Sequence, residues 1–170
     1  MQFEKQQDVA EKSFCKMIEK KTARLFEYAC FGGAIIGGGS VSEQDALRTY
    51  GKNVGMAFQL WDDYLDIVGK DIGKPVGSDI REGKKTLVFI YAKTNAVERD
   101  WLSYYGKQDA TPTELQCVLQ AFTYSGALEY AIEQSHQYAD MAKRALVVLP
   151  DSRAKQALLD IATFAVTRGI

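Results

Sequence analysis

The chain has 170 residues, with 21 Lys+Arg against 22 Asp+Glu, 46% hydrophobic residues, one His, three Cys and three Pro. This is ordinary globular composition, which excludes disordered and fibrous classes, and a net charge of −1 offers no global electrostatic reason to expect nucleic acid as a partner. A single His and three Cys without CxxC spacing speak against His-rich metal sites, zinc sites and a disulfide scaffold, and point to a reducing, cytoplasmic setting.

The N-terminal stretch MQFEKQQDVAEK has no apolar core of the kind a signal peptide needs, and no segment approaches the ~20 apolar residues that span a bilayer. Residues 1–74 contain no proline, which permits long helices. Lys20-Lys21-Thr22 falls within the first of them, where Met17, Ile18, Leu25 and Phe26 suggest one buried side. Gly37-Gly38-Gly39 stops that helix, and Ser40-Val41-Ser42-Glu43 matches a capping box opening the next. From there Leu47, Tyr50, Val54, Phe58, Trp61, Leu65 and Val68 step by three or four along one helix face. Residues 69–85, GKDIGKPVGSDIREGKK, read as an irregular Gly/Lys-rich segment. Thr111-Pro112-Thr113-Glu114 repeats the helix-start logic and predicts a helix over about 113–148. Pro150 separates it from a last helix near 152–167. Strand signals are absent, so the pattern predicts five or six helices in a single all-α domain over 1–170.

The densest chemistry is Phe58-Gln59-Leu60-Trp61-Asp62-Asp63-Tyr64-Leu65-Asp66. At ~100° per residue, Gly55, Gln59, Asp62 and Asp66 share a sector of roughly 60° beside the apolar stripe, with Asp63 further round. Three carboxylates on neighbouring turns repel one another, and no Lys or Arg lies within a turn on this helix. Magnesium relieves such repulsion, because it favours carboxylate oxygen and is usually held by one or two carboxylates plus substrate phosphates. A charge run is most often a solvated face, but carboxylates bordering a core-facing seam line a cleft more readily than bulk water. The following segment carries Lys70, Lys74, Arg81, Lys84 and Lys85, whose charges suit phosphate oxygens, with Gly73 and Gly77 allowing close backbone approach. The pairing suits a Mg²⁺–polyphosphate site.

Together IEKKTARLFEYA, GGAIIGGG, YGKNVGMAFQLWDDYLD, GKPVGSDIREGKKTL and ATFAVTRGI resemble the C-terminal part of the trans-isoprenyl diphosphate synthases, the farnesyl and geranylgeranyl diphosphate synthase family. The resemblance implies a helical bundle of the isoprenoid synthase type, here only its C-terminal helices. It implies that Lys21, Lys74 and Lys84 contact diphosphate oxygens, that Thr22 and Gln59 support the allylic diphosphate, and that Phe58 borders the prenyl cavity. Asp62 would bind a Mg²⁺ bridging protein and diphosphate, with Asp63 and Asp66 shaping the site directly or through water. The implied reaction joins an allylic diphosphate to isopentenyl diphosphate. His136 lies far from these motifs in sequence and reads as structural or exposed.

The family carries two aspartate-rich motifs, and this chain contains only the second. The resemblance therefore implies a chain that lacks full activity alone and that forms a homodimer or is completed by an N-terminal half or partner chain. A non-catalytic helical subunit that associates with a complete synthase is the alternative from another class. A class I terpene cyclase fits less well, because the GK…GKK loop serves the synthases.

Overall fold

A computed structural model describes residues 9–69 and 77–169. Among the described residues every regular element is helical. In chain order these are α1 (Glu11–Ile18), a π-helical turn (Glu19–Ala23), α2 (Arg24–Ile36), α3 (Val41–Val68), α4 (Ser78–Glu82) and α5 (Leu87–Asn95). A 3₁₀ turn (Asp100–Ser103) then precedes α6 (Pro112–Tyr124), α7 (Ala127–Ala145), a second 3₁₀ turn (Leu146–Val148) and α8 (Arg153–Phe164). The all-α expectation holds. No helix among the described residues is long and apolar enough to cross a membrane.

The chain divides into two compact units, one comprising Met1–Phe14, Asp62–Ile132 and Gly169–Ile170, the other Cys15–Trp61 and Glu133–Arg168. In the second unit, α2 ends where Gly38 takes a left-handed backbone (φ 70°) and Gly39 N–H bonds back to Ala34 C=O at 2.9 Å. The capping box predicted at Ser40 forms in full: Ser40 N–H and Oγ both donate to Glu43 Oε2 at 2.7 Å, while Glu43 N–H donates to Ser40 Oγ at 3.3 Å. Tyr50, Val54, Leu60 and Trp61 are buried, and so are Ala139, Ala142, Leu146, Ala162 and Val166 of the late helices. Tyr50 donates its hydroxyl to Leu158 C=O at 2.8 Å, and burial raises its phenol well above the ordinary tyrosine range. His136 is exposed, its ring edge-on to Trp61 at 5.7 Å.

The first unit is organised by aromatic rings. On α5, Leu87, Val88, Phe89, Ile90 and Ala92 are all buried, so the helix is apolar nearly all round and belongs inside. Trp101 is 1% exposed and meets Phe89, Tyr105 and Phe122 at 5.8, 6.1 and 5.6 Å, all near-perpendicular, the arrangement that ring quadrupoles favour. Thr111 and Glu114 form the second predicted capping box, with Pro112 in the first turn. The Lys107 ammonium at 2.7 Å and the Thr111 N–H and hydroxyl hold the Glu114 carboxyl down at about 2.

Three expectations need correction. The helix predicted over about 113–148 is broken: α6 ends at Tyr124, and Gly126 takes φ 74°, a conformation that side chains with a Cβ avoid. This break, the π-turn that separates α1 from α2, and the short α4 and α5 bring the number of α-helices among the described residues to eight rather than five or six. Leu25, predicted on the buried side with Ile18, is 73% exposed. The π-turn between them inserts one residue into the helical register, so a seven-residue step no longer returns to the same face.

Candidate functional site

The acidic end of α3 lies in the first unit, and its three aspartates differ sharply in environment. Asp62 is exposed, whereas Asp63 and Asp66 are buried. Asp66 is committed to the segment that follows. Its Oδ1 accepts from Ser78 Oγ at 2.6 Å, its Oδ2 accepts from Asp79 N–H at 2.8 Å, and its carbonyl accepts from Gly77 N–H at 2.7 Å. A carboxylate twelve residues upstream thus supplies the cap that α4 lacks locally, since no cap hydrogen bond comes from Gly77. An anion at a helix N-terminus also meets the positive end of the helix dipole. Five residues are too few for a helix to persist by propensity, so α4 depends on contacts of this kind.

Asp79 extends the network. It is 7% exposed, and Lys84 donates to its Oδ1 while also pairing with Glu82 Oε2 at 3.1 Å. Burial raises the Asp79 carboxyl above its ordinary value, with the Asp66 charge adding to the rise and Lys84 opposing it. Burial acts against the Lys84 ammonium, yet its bonds to Asp79 and Glu82 raise it above the ordinary lysine value. The Lys84 carbonyl accepts from the Tyr105 hydroxyl, which ties the turn to the aromatic core. Next along, Lys85 stands over the Phe89 ring at 4.3 Å, and burial followed by the neighbouring Lys93 charge lowers its ammonium.

In the second unit the groups predicted around Gln59 gather as follows. Thr22 Oγ1 donates to Gln59 Oε1 at 2.8 Å, so these two predicted site residues are in direct contact. Lys21 is exposed on the π-turn beside Thr22. Phe58 is half-buried, with its ring 5.5 Å from that of Phe26 and the Arg168 guanidinium 3.8 Å over its face. Arg168 also donates to Phe58 C=O at 3.3 Å and to Ala165 C=O at 2.5 Å, and its own carbonyl accepts from Trp61 Nε1 at 3.0 Å. Gln59, Asp62 and Asp66 occupy successive turns of the unbroken helix α3. Lys70, Lys74 and Gly73 lie outside the described residues.

Sequence reasoning missed Ser78 and Asp79 as partners of Asp66, and Arg168 as the partner of Phe58. A signal for the first pair was present in the Ser78-Asp79 dipeptide directly after Gly77, a helix-start pattern in an otherwise irregular stretch. For Arg168 no local signal exists, because its partner is 110 positions away.

Among the described residues no group of three His, Cys, Asp or Glu side chains is placed to hold a metal ion by itself. Carboxylates of this kind suit a hard cation whose remaining ligands are water or ligand oxygens. Asp62 is exposed, while Asp66 is buried and each of its oxygens accepts a hydrogen bond.

The polyprenyl synthetase family model matches residues 1–122. The short chain isoprenyl diphosphate synthase of Methanothermobacter thermautotrophicus is 44% identical over 99% of this chain and 53% of its own length. The geranylgeranyl diphosphate synthase of Methanosarcina mazei is 37% identical over 99% of this chain and 52% of its own. The chain thus spans about half the length of the curated relatives it matches. Among solved structures, the polyprenyl synthase of Caulobacter crescentus, crystallised with calcium and isoprenyl diphosphate, superposes with a TM-score of 0.90 at 35% identity, over 99% of this chain and 53% of that one. With the family model covering most of its residues and the helical fold shared, the chain belongs to the polyprenyl synthetase family.

Proposed function

We propose that this chain carries the diphosphate- and metal-binding portion of a trans-prenyltransferase, which joins an allylic diphosphate to isopentenyl diphosphate. In that reaction the allylic C–O bond breaks with its electron pair leaving on diphosphate, the double bond of isopentenyl diphosphate attacks the resulting carbocation, and a proton is lost. The charge to be stabilised is on the leaving group, so lysines and carboxylate-held cations serve it and no nucleophilic side chain is needed. Bound Mg²⁺ would supply Lewis-acid neutralisation of the departing diphosphate. Asp62 is the residue that would hold it, with Asp63 beside it. Lys21, Lys74 and Lys84 would meet diphosphate oxygens, Thr22 and Gln59 would orient the allylic diphosphate, and Phe58 would border the prenyl chain. Asp66 would shape the site directly or through water while also holding the Ser78–Lys84 segment by its bonds to Ser78 and the Asp79 amide. The exposed apolar side chains of α2, Leu25 at 73%, Tyr28 at 62% and Ile36 at 89%, support association with a second copy or partner chain.

The observation that carries this reading is the contrast between exposed Asp62 and buried Asp66 one turn later, in a chain of this family. Calorimetry of the chain with Mg²⁺ and inorganic diphosphate tests it. We expect Mg²⁺-dependent binding that Asp62→Ala weakens by roughly tenfold or more, with thermal stability unchanged, since an exposed carboxylate contributes little to folding. A chain that binds no diphosphate would instead favour a non-catalytic helical subunit.

A further inference from the structure

The π-turn at Glu19–Ala23 has no local cause. Its sequence, EKKTA, contains neither Gly nor Pro and is rich in good α-helix formers. Yet Arg24 N–H bonds to Glu19 C=O, five residues back, and Lys21 and Thr22 sit on the widened turn. Departures of this kind persist only where tertiary contacts hold them. Within the same unit, those contacts come from two glycines of α3. A Cβ on Gly55 would lie 2.5 Å from Ala23 Cα, and one on Gly51 would lie 2.5 Å from Phe26 O and 2.9 Å from Glu27 Cα. Both clashes are with backbone, which cannot swing aside as a side-chain tip would. Glycine is the poorest helix former after proline, so two of them four residues apart inside a long helix mark a close approach of backbones. Glu19 adds a clamp, pairing with Lys52 of α3 and with Arg24, each at 3.2 Å.

We propose that Gly51 and Gly55 are positioning residues: they seat the π-turn against α3 so that Thr22 meets Gln59, and thereby set the diphosphate-side pair. This rests on the reading of Lys21, Thr22 and Gln59 given above. Thr22 adjoins Ala23, and Gln59 is one turn beyond Gly55, so the glycine contact lies directly beside the 2.8 Å hydrogen bond. Any side chain at position 55 forces the two backbones apart by about the ångström that separates a 2.5 Å clash from ordinary contact, which is enough to break that bond.

The test is diphosphate binding by calorimetry, in Mg²⁺, across a mutant cycle in the full chain. Gly55→Ala is expected to weaken binding ~tenfold, on the scale of a small misplacement at a binding site. Gly33→Ala, where the added Cβ meets nothing within 4 Å, is expected to leave affinity unchanged. In a Thr22→Val background the Gly55→Ala effect on affinity is expected to vanish, while its effect on thermal stability remains, a separation that a merely structural role would not produce. If Gly55→Ala does not fold, Glu19→Gln carries the test. Removing a negative charge should tighten anion binding by simple electrostatics, whereas loosening the clamp should weaken it about threefold. Wild-type-like affinity in Gly55→Ala, an undiminished effect in the Thr22→Val background, or tighter binding in Glu19→Gln overturns the positioning role while leaving the site reading intact. Failure of the unmodified chain to bind diphosphate overturns both.

Discussion

Asp66→Ala is expected to destabilise the chain by about 2–3 kcal/mol, because it leaves a buried backbone N–H and a serine hydroxyl without their charged acceptor. The loss is tempered by relief of repulsion with Asp79, whose carboxyl the Asp66 charge pushes upward. For a chain of this size the melting temperature should fall by roughly 5–10 °C. Differential scanning calorimetry measures this directly, and Asp66→Asn separates charge from shape. Asparagine retains one acceptor oxygen but presents an NH₂ group where the other stood, so it should recover only part of the loss. A melting temperature equal to that of the unmodified chain would show that the Asp66 network contributes nothing to folding. The contrast with Asp62→Ala is the informative one: Asp62 should matter to ligand binding without affecting the melt, and Asp66 to both.

Trp101→Ala should cost still more, about 3–5 kcal/mol, since it empties the centre of the aromatic cluster. The indole is 1% exposed, lies 5.6 to 6.1 Å from three other rings, and donates its N–H to Glu98 C=O at 3.1 Å. Phe89, Tyr105 and Phe122 each lose the indole as an edge-to-face partner, and filling the void would disturb the stacking of Phe89 on Tyr105 at 4.3 Å. Trp101→Phe keeps most of the volume and should lose only about 1–2 kcal/mol. Urea titration of the three chains orders these values, and an alanine variant as stable as the phenylalanine one would refute the packing account. The disturbance should also reach the Lys84 turn, because Tyr105 both stacks in this cluster and donates to the Lys84 carbonyl.

What the sequence disclosed, and what it hid, divides by the distance over which each cause acts. The capping boxes at Ser40 and Thr111 were legible because donor and acceptor lie three residues apart. The apolar stripe of α3 was legible for the same reason, and Tyr50, Val54, Trp61 and Leu65 are indeed buried. Val68 at the helix end is 37% exposed, beyond the reach of the pattern that included it. The break at Gly126 was written in a Ser-Gly dipeptide but masked by apolar spacing that continues on both sides. The π-turn could not be read from EKKTA, because the residues that seat it are about thirty positions downstream. In the candidate site, the clustering of the aspartates was evident, but their division of labour was not. Only the fold reveals that Asp66 faces Ser78 and the Asp79 amide while Asp62 faces solvent.

The two tryptophans fall one in each compact unit, Trp61 in the second and Trp101 in the first, and both are at least 98% shielded from solvent. Each unit therefore contains its own intrinsic fluorophore. A chain keeping only Trp61 and a chain keeping only Trp101, each compared with its own loss of helix by circular dichroism, would report the unfolding of the two units separately, without any attached label. In each, an emission curve coincident with the loss of helix would identify a single cooperative transition, and a displaced one would show that the unit holding the fluorophore opens apart from the rest.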